Sequence, residues 1–456
     1  MTITSRRLRL ASVAGAAALT AACGSSNVSQ RTATAVTPAA AATTAATAAS
    51  PPAPPPGGST TSSNYTATGR YTRASGTAVL SGRRITATGS DQSGLLVTGG
   101  TVTVRRSRVT TTGSSKSSDA SSFYGLDAGV LASGRGRVNL AAGTVTTSGA
   151  GANAVFAYGS SAAVTVRGTR LTAHGQYAHG AMASGGGRLT LDHVMIHTAG
   201  GSSAAVATDR GGGTVTVSGG TMITTGATSP GIYSTGTIAV SDATMLAQGS
   251  EAAVVEGANS IAVTNSSLTG TVKRGVMLYQ SMSGDAAAGT GSYTMVGGSL
   301  NAKAGPAFYV TNEKAVINVS GGARIKAASG VLLRSDSTGT GSGNTGPGVT
   351  TFQASSERLS GDLVAAGSGS ISAILSHTTL KGAITAAALT LQTGSVWTVS
   401  GNSTLTTLTG ATMSRGRITN IVGNGHLVTY DSALAGNRVL GAKTYTLAGG
   451  GTLKPA

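Results

Sequence analysis

The stretch TVTVSGGTMITTGATSPGIYSTG, from Thr214 to Gly236, decides how the chain folds. TVTV alternates polar and apolar residues, the period of a short strand with Val215 and Val217 on one face. Ser218-Gly219-Gly220 is turn chemistry, because glycine reaches positive φ without a steric penalty. TMITT predicts a second strand and GIYST a third, with a turn from Gly226 to Pro230 between them and Gly236 leading onward. Three strands and three turns in so short a stretch leave no room for a helix, which excludes leucine-rich and ankyrin units.

The phrase returns on both sides. RVNLAAGTVTTSG starts at Arg137, AVTVRGTRLTAHG at Ala163, RLTLDHVMIHTAG at Arg188, TIAVSDATMLAQG at Thr237 and SIAVTNSSLTGTV at Ser260. The third strand returns as GAMAS at Gly180, AAVAT at Ala204, AAVVE at Ala252, GVMLY at Gly275, AFYVT at Ala307 and GVLLR at Gly330. A repeat of 23 to 26 residues built of short strands means stacked supersecondary units. The fold class predicted is all-β, a right-handed parallel β-helix. Each repeat makes one circuit, and equivalent strands of successive circuits pair in parallel about 4.8 Å apart. An antiparallel sandwich also has many short strands, but a regular period through six units argues against it.

The chain has 456 residues, of which 69 are glycine, and only 4% are aromatic, as many turns around a narrow interior require. The formal charge is +18, from 32 Lys+Arg against 14 Asp+Glu. Such a charge attracts acidic surfaces, and the partners expected are acidic polysaccharide, lipopolysaccharide or a host surface rather than nucleic acid. Along the sequence the basic residues are scattered rather than run together.

Residues 1–22 have the form of a secretion signal. Arg6, Arg7 and Arg9 precede an apolar run from Leu10 to Leu19, and Ala21-Ala22-Cys23-Gly24 supplies small residues for cleavage. Cys23, the only cysteine, resembles the acylated residue of a bacterial lipoprotein lipobox, although Thr20 stands where that motif prefers Leu. Lipidation at Cys23 would anchor the exported chain to the cell outer membrane; cleavage without it would leave the protein extracellular. A single cysteine permits no internal disulfide. Residues 23–64 are rich in Ala, Thr, Ser and Pro, cannot bury a core, and are expected to form a disordered tether.

Residues 65–353 carry the repeats, with polar insertions at Ser114–Ser122, Ser281–Gly291 and Ser335–Thr350. These are expected as loops at corners of the coil, candidate contact surfaces or inert. Residues 354–456 differ, with larger aliphatics and the only tryptophan, Trp397. The segment LTLQTGSVWTV, Leu389 to Val399, followed by Ser403-Thr404-Leu405 and Leu408, resembles the end of pertactin-like autotransporter passengers. The resemblance implies a β-helix whose final coils, with Trp397, cap the solenoid, and an adhesin-like role. Such passengers precede a membrane barrel. The expectation here is a passenger displayed without one, by a lipid anchor or a separate export partner.

A catalytic site is not expected. The alternative to a binding role is a polysaccharide lyase or glycoside hydrolase acting on an acidic polysaccharide. Hydrolysis requires two carboxylates facing one groove about 5–9.5 Å apart. Asp209 and Glu256 end third strands two circuits apart, which puts them near ~10 Å, and no acidic groove along a strand face is expected. Asp192 falls in a first turn beside Arg167 and Ser218. His174, His179, His193 and His197 lie in two adjacent circuits, but aligning the phrases sets His197 beside Thr172 and His174 beside Ala199. Solvated corner histidines are therefore expected, with no metal and no cofactor. Thr86/Thr88, Thr110/Thr112 and Thr146/Ser148 form a short outward ladder, too short for an ice-binding array.

Overall fold

The structure, a computed structural model, describes residues 65–339 and 345–456. The signal, Cys23 and the tether lie outside the described residues, as do residues 340–344 of the third insertion.

Within the described residues the chain winds as a parallel β-solenoid of about 15 turns. In the quoted stretch the first and second strands join as Gly213–Thr224, bent at Gly219 (φ 67°) and Gly220 (φ 100°), and the third is Ile232–Ser234. Val215 pairs with Leu189 of the preceding circuit and Ile238 of the next, in parallel register. The third strands form one thirteen-stranded sheet, and the first and second strands form the ladders of the other two faces.

Register turns the repeat into columns. Val138, Val164, Leu189, Val215, Ile238 and Ile261 stack inward from the first strands. Val145, Leu171, Ile196, Met222, Met245 and Leu268 stack from the second. Val130, Val155, Ala181, Val206, Ile232, Ala253 and Val276 stack from the third. All belong to one continuous core. Burial of each larger aliphatic contributes about 1.5–3 kcal/mol, most of which backbone ordering offsets.

The turn between first and second strands has its own column. Arg106, Ala142, His193, Gly219, Asp242, Asn265 and His377 each hold positive φ, between 47° and 67°. One left-handed residue per circuit lets the chain turn without breaking either ladder. Glycine suits that position best, yet several circuits place a side chain there and accept roughly 1 kcal/mol of strain.

Two features depart from expectation. The first insertion, expected as a loop, folds into a helix, α1 (Ser118–Tyr124). The Ser117 hydroxyl caps its start by accepting from the Ala120 amide at 3.1 Å, and Gly125 closes it in a left-handed conformation (φ 73°). The third-strand sheet is also apolar on its outer face, where Leu96, Leu131, Phe156, Met182, Val254, Met277 and Tyr309 are buried. Val254 and Met277 therefore pair in one column outside the main core rather than pointing to the axis.

The strand Val349–Ser355 pairs with Lys314–Ser320 before it and Ser370–Ser376 after it, so the ladder continues into the C-terminal stretch. Trp397 is fully buried between Leu380 and Ile421, and its indole N–H donates to the Gly382 carbonyl at 2.9 Å. Past it the pairing changes. Met413–Ser414 runs antiparallel to Arg417–Val422, and Tyr445–Ala448 antiparallel to Thr452–Pro455. Among the described residues no helix is long and apolar enough to cross a membrane.

Candidate functional site

Two insertions far apart in sequence land on the same outer face of the third-strand sheet. From α1, the Ser122 hydroxyl donates to an Asp209 carboxyl oxygen, and the Phe123 carbonyl accepts from Ser184 Oγ at 2.6 Å. The Arg210 guanidinium lies 3.9 Å above the Phe123 ring. The same guanidinium donates through Nε (2.9 Å) and a terminal nitrogen (2.7 Å) to Asp285, which the second insertion supplies. Arg210 thus ties one insertion to the other.

Beside α1 the outer face opens as a cleft of about 100 Å³. One wall is α1, through Ser118, Asp119 and Ser122. The corner of the coil gives hydroxyls from Ser202, Thr228 and Ser250, with Ser202 and Thr228 3.0 Å apart. The floor is Met182, Ala204, Tyr233, Val254 and Met277. Asp119, Asp209 and Glu251 bring three carboxyls, and no Lys or Arg lines the cleft. The lining is mainly apolar, and Asp209 and Glu251 are buried in it. Of the three, Asp119 comes from the first insertion, and Asp209 and Glu251 come from the repeat.

Burial dominates the chemistry of these groups. Asp209 is pushed up to about 7, first by desolvation and then by the nearby Asp285 carboxylate; the Ser122 hydroxyl and the Arg210 amide oppose the shift. Glu256 is also raised, again chiefly by desolvation. Its carboxyl accepts from the hydroxyls of Tyr233, Tyr279 and Ser281, which close it off from the cleft. Glu256 adds to the rise of Asp209, and Asp285 raises both. Glu251 is buried and paired with Arg274 at 3.2 Å. Glu313 lies near the Gly257 and Gly291 amides outside hydrogen-bond geometry and is raised to about 10 by burial and by Glu256. Asp127, beneath the first insertion, is raised to about 7 by burial and by Asp91.

The histidines divide. His193 is exposed, with Nδ1 2.5 Å from Asp192, and Asp192 stands beside Arg167 and Ser218. His197 pairs with Thr172, and its ring meets that of His174 edge-on at 6.5 Å. His179 is not a solvated corner residue. Its Nδ1 accepts from the Ala204 amide at 3.0 Å, and burial lowers it to about 4, so it faces the cleft as a neutral imidazole. Among the described residues no three His, Cys, Asp or Glu side chains converge to hold a metal ion. The threonine ladder Thr86–Thr110–Thr146–Thr172 is present, and His197 and Ile223 follow it.

Ser122 and Asp285 were missed in the sequence because they sit in the insertions. One signal pointed to the covered face: the third strands read as near-continuous apolar runs, such as GVMLY from Gly275, where the first strands alternate. Strands buried on both faces have that pattern.

Fold and site together define a parallel β-solenoid with a cleft on one side, walled in part by α1. No protein-family model matches the chain, and no curated protein matches it.

Proposed function

We propose that the chain is an exported, surface-displayed solenoid that works by binding, and that the cleft is its contact site. One observation carries this: the first insertion interrupts a regular coil and folds onto one face as a helix that walls a cleft, and Arg210 ties it to the second insertion. Hydroxyls and carboxyls over an apolar floor, with no cation, suit an extended and uncharged hydroxylated ligand such as a neutral glycan chain. Display at the outer membrane through an acyl group on Cys23 belongs to the same proposal, and mass spectrometry of the mature N-terminus tests it. Kinship with pertactin-like passengers draws support from the buried Trp397 and from the antiparallel pairs near the C-terminal end. It makes the last coils a folding cap.

The test is titration of neutral oligosaccharides into the full chain by calorimetry. Binding is expected to disappear in Asp119→Arg, which narrows the cleft from its half-buried helical wall, at unchanged melting temperature. Undiminished binding in that variant overturns the assignment.

Hydrolysis is the second reading, favoured by one observation: Asp209, raised to about 7, is poised to hold a proton in the cleft. Glu256, its companion two circuits on, is enclosed by tyrosines and Ser281. A reducing-end assay that finds turnover abolished by Asp209→Asn, with binding retained, would replace the binding role.

A further inference from the structure

The basic residues, scattered along the chain, are not scattered on the molecule. The register brings Arg84 beside Arg108 and carries the end of the first strand from Ser81 to Arg105. The Arg83 amide donates to Ser107 Oγ at 3.0 Å, which fixes that turn against the next. Arg83, Arg84, Arg105, Arg106 and Arg108 therefore occupy one corner of two successive circuits, all exposed. Two circuits further along the same columns stand Arg167 and Arg170. Among the described residues none of the first five pairs with a carboxylate, and the nearest acid in these columns, Asp192, is held by Arg167 and His193.

Turn chemistry does not ask for arginine here. The same positions hold Ser218-Gly219-Gly220-Thr221 and Thr264-Asn265-Ser266-Ser267 in later circuits. Arg106 keeps the left-handed conformation (φ 47°) that glycine takes more readily. Five like charges one circuit apart repel one another, and that repulsion is relieved when a partner of opposite sign lies along them.

We propose that this corner is a binding surface for a linear acidic polysaccharide laid along the solenoid axis. The coil sets charges at intervals of ~4.8 Å, roughly the length of one sugar, and a polyuronate presents one carboxylate per sugar. Guanidinium forks match carboxylates in pairs. The corner has no aromatic side chain on which a nucleobase could stack, which disfavours single-stranded nucleic acid. The assignment is independent of the cleft, which carries no cation and lies on another face.

The probe is polygalacturonate, titrated calorimetrically into the full chain at 50 and 200 mM NaCl. Affinity is expected to fall about tenfold or more over that range, as release of condensed counterions requires. The variant Arg83→Ser/Arg84→Ser/Arg106→Gly/Arg108→Ser carries residues that other circuits use at this turn. It is expected to lose at least tenfold in affinity while keeping its melting temperature. The control, Arg135→Ser/Arg137→Ser/Arg188→Ser, removes charge at a different corner and should change affinity less than threefold. Equal losses in both variants would reduce the effect to net charge and overturn the site. Tighter binding of duplex DNA or of lipopolysaccharide vesicles would overturn the partner. Asp119→Arg, which tests the cleft, should leave this binding intact.

Discussion

The outward residues of the first and third strands make opposite use of the same coil. Outside the first-strand ladder the column reads Thr103, Asn139, Thr165, Thr190, Thr216 and Ala239, and water covers it. Outside the third-strand sheet the column reads Leu96, Leu131, Phe156, Met182, Ala207, Tyr233, Val254 and Met277, and inserted segments cover much of it. The circuits are alike in backbone; what differs is whether a second layer of chain arrives. Where it does, strands carry apolar residues on both faces, acids lose their water, and a cleft forms at the seam. Where it does not, threonine suffices.

The sharpest way to break that comparison is truncation on each face. Phe156→Ala removes a fully buried ring beneath Gly125 at the end of α1, and about 3–5 kcal/mol should be lost from the circuits around it. Thr165→Ala, outward on the first-strand ladder, should cost under about 0.5 kcal/mol. Denaturant midpoints of the two variants measure the contrast, and similar midpoints would mean that the third-strand face is not a second core.

The next effect is pH dependence, which the covered face alone should generate. Asp209 and Asp127 stand near 7 and Glu313 near 10 in the folded chain, all above their unfolded values. The folded state therefore binds more protons than the unfolded state above about pH 4, and stability falls as pH rises. His179, lowered to about 4, acts in the opposite sense between about pH 4 and 6.5, and the lowered Asp336 opposes at acid pH, but Glu256 is raised as well, so four raised acids set the sign. The melting temperature should be several degrees higher at pH 5 than at pH 8, and Asp209→Asn should flatten the slope. A melting temperature that rises over this range would contradict the desolvated state of the acids.

A small effect of either sign lies at the bare corner. Ala142 is exposed and holds φ 52°, so Ala142→Gly should raise stability by roughly 0.5–1 kcal/mol. Gly219→Ala should lower it by about as much, because the added carbon meets the His193 ring at 2.9 Å. Thermal melts of the two variants should move in opposite directions.

The coil was legible because its evidence is local and repeated. Alternation in TVTV fixes an inward face, turn glycines mark corners, and a regular period leaves parallel stacking as the economical solution. Register predicted from aligned phrases, such as Thr172 beside His197 and Asp192 beside Arg167, matches the structure. The cleft was hidden because one wall, α1, comes from a segment outside the repeat. Nothing near Ser122 announces Asp209, 87 residues on, or joins Arg210 to Asp285, 75 residues on. The arginine corner was hidden for the complementary reason: its members recur at the repeat period, so they look dispersed until the coil is wound.

Those long-range ties have a mechanical meaning. In a plain solenoid each coil grips only its neighbours, and damage at an end can travel inward one coil at a time. Here Ser122–Asp209 and Arg210–Asp285, in series, act as a splint over the middle of the rod. Peeling from either end should stall at its margins, and the splinted coils should then release together as one block.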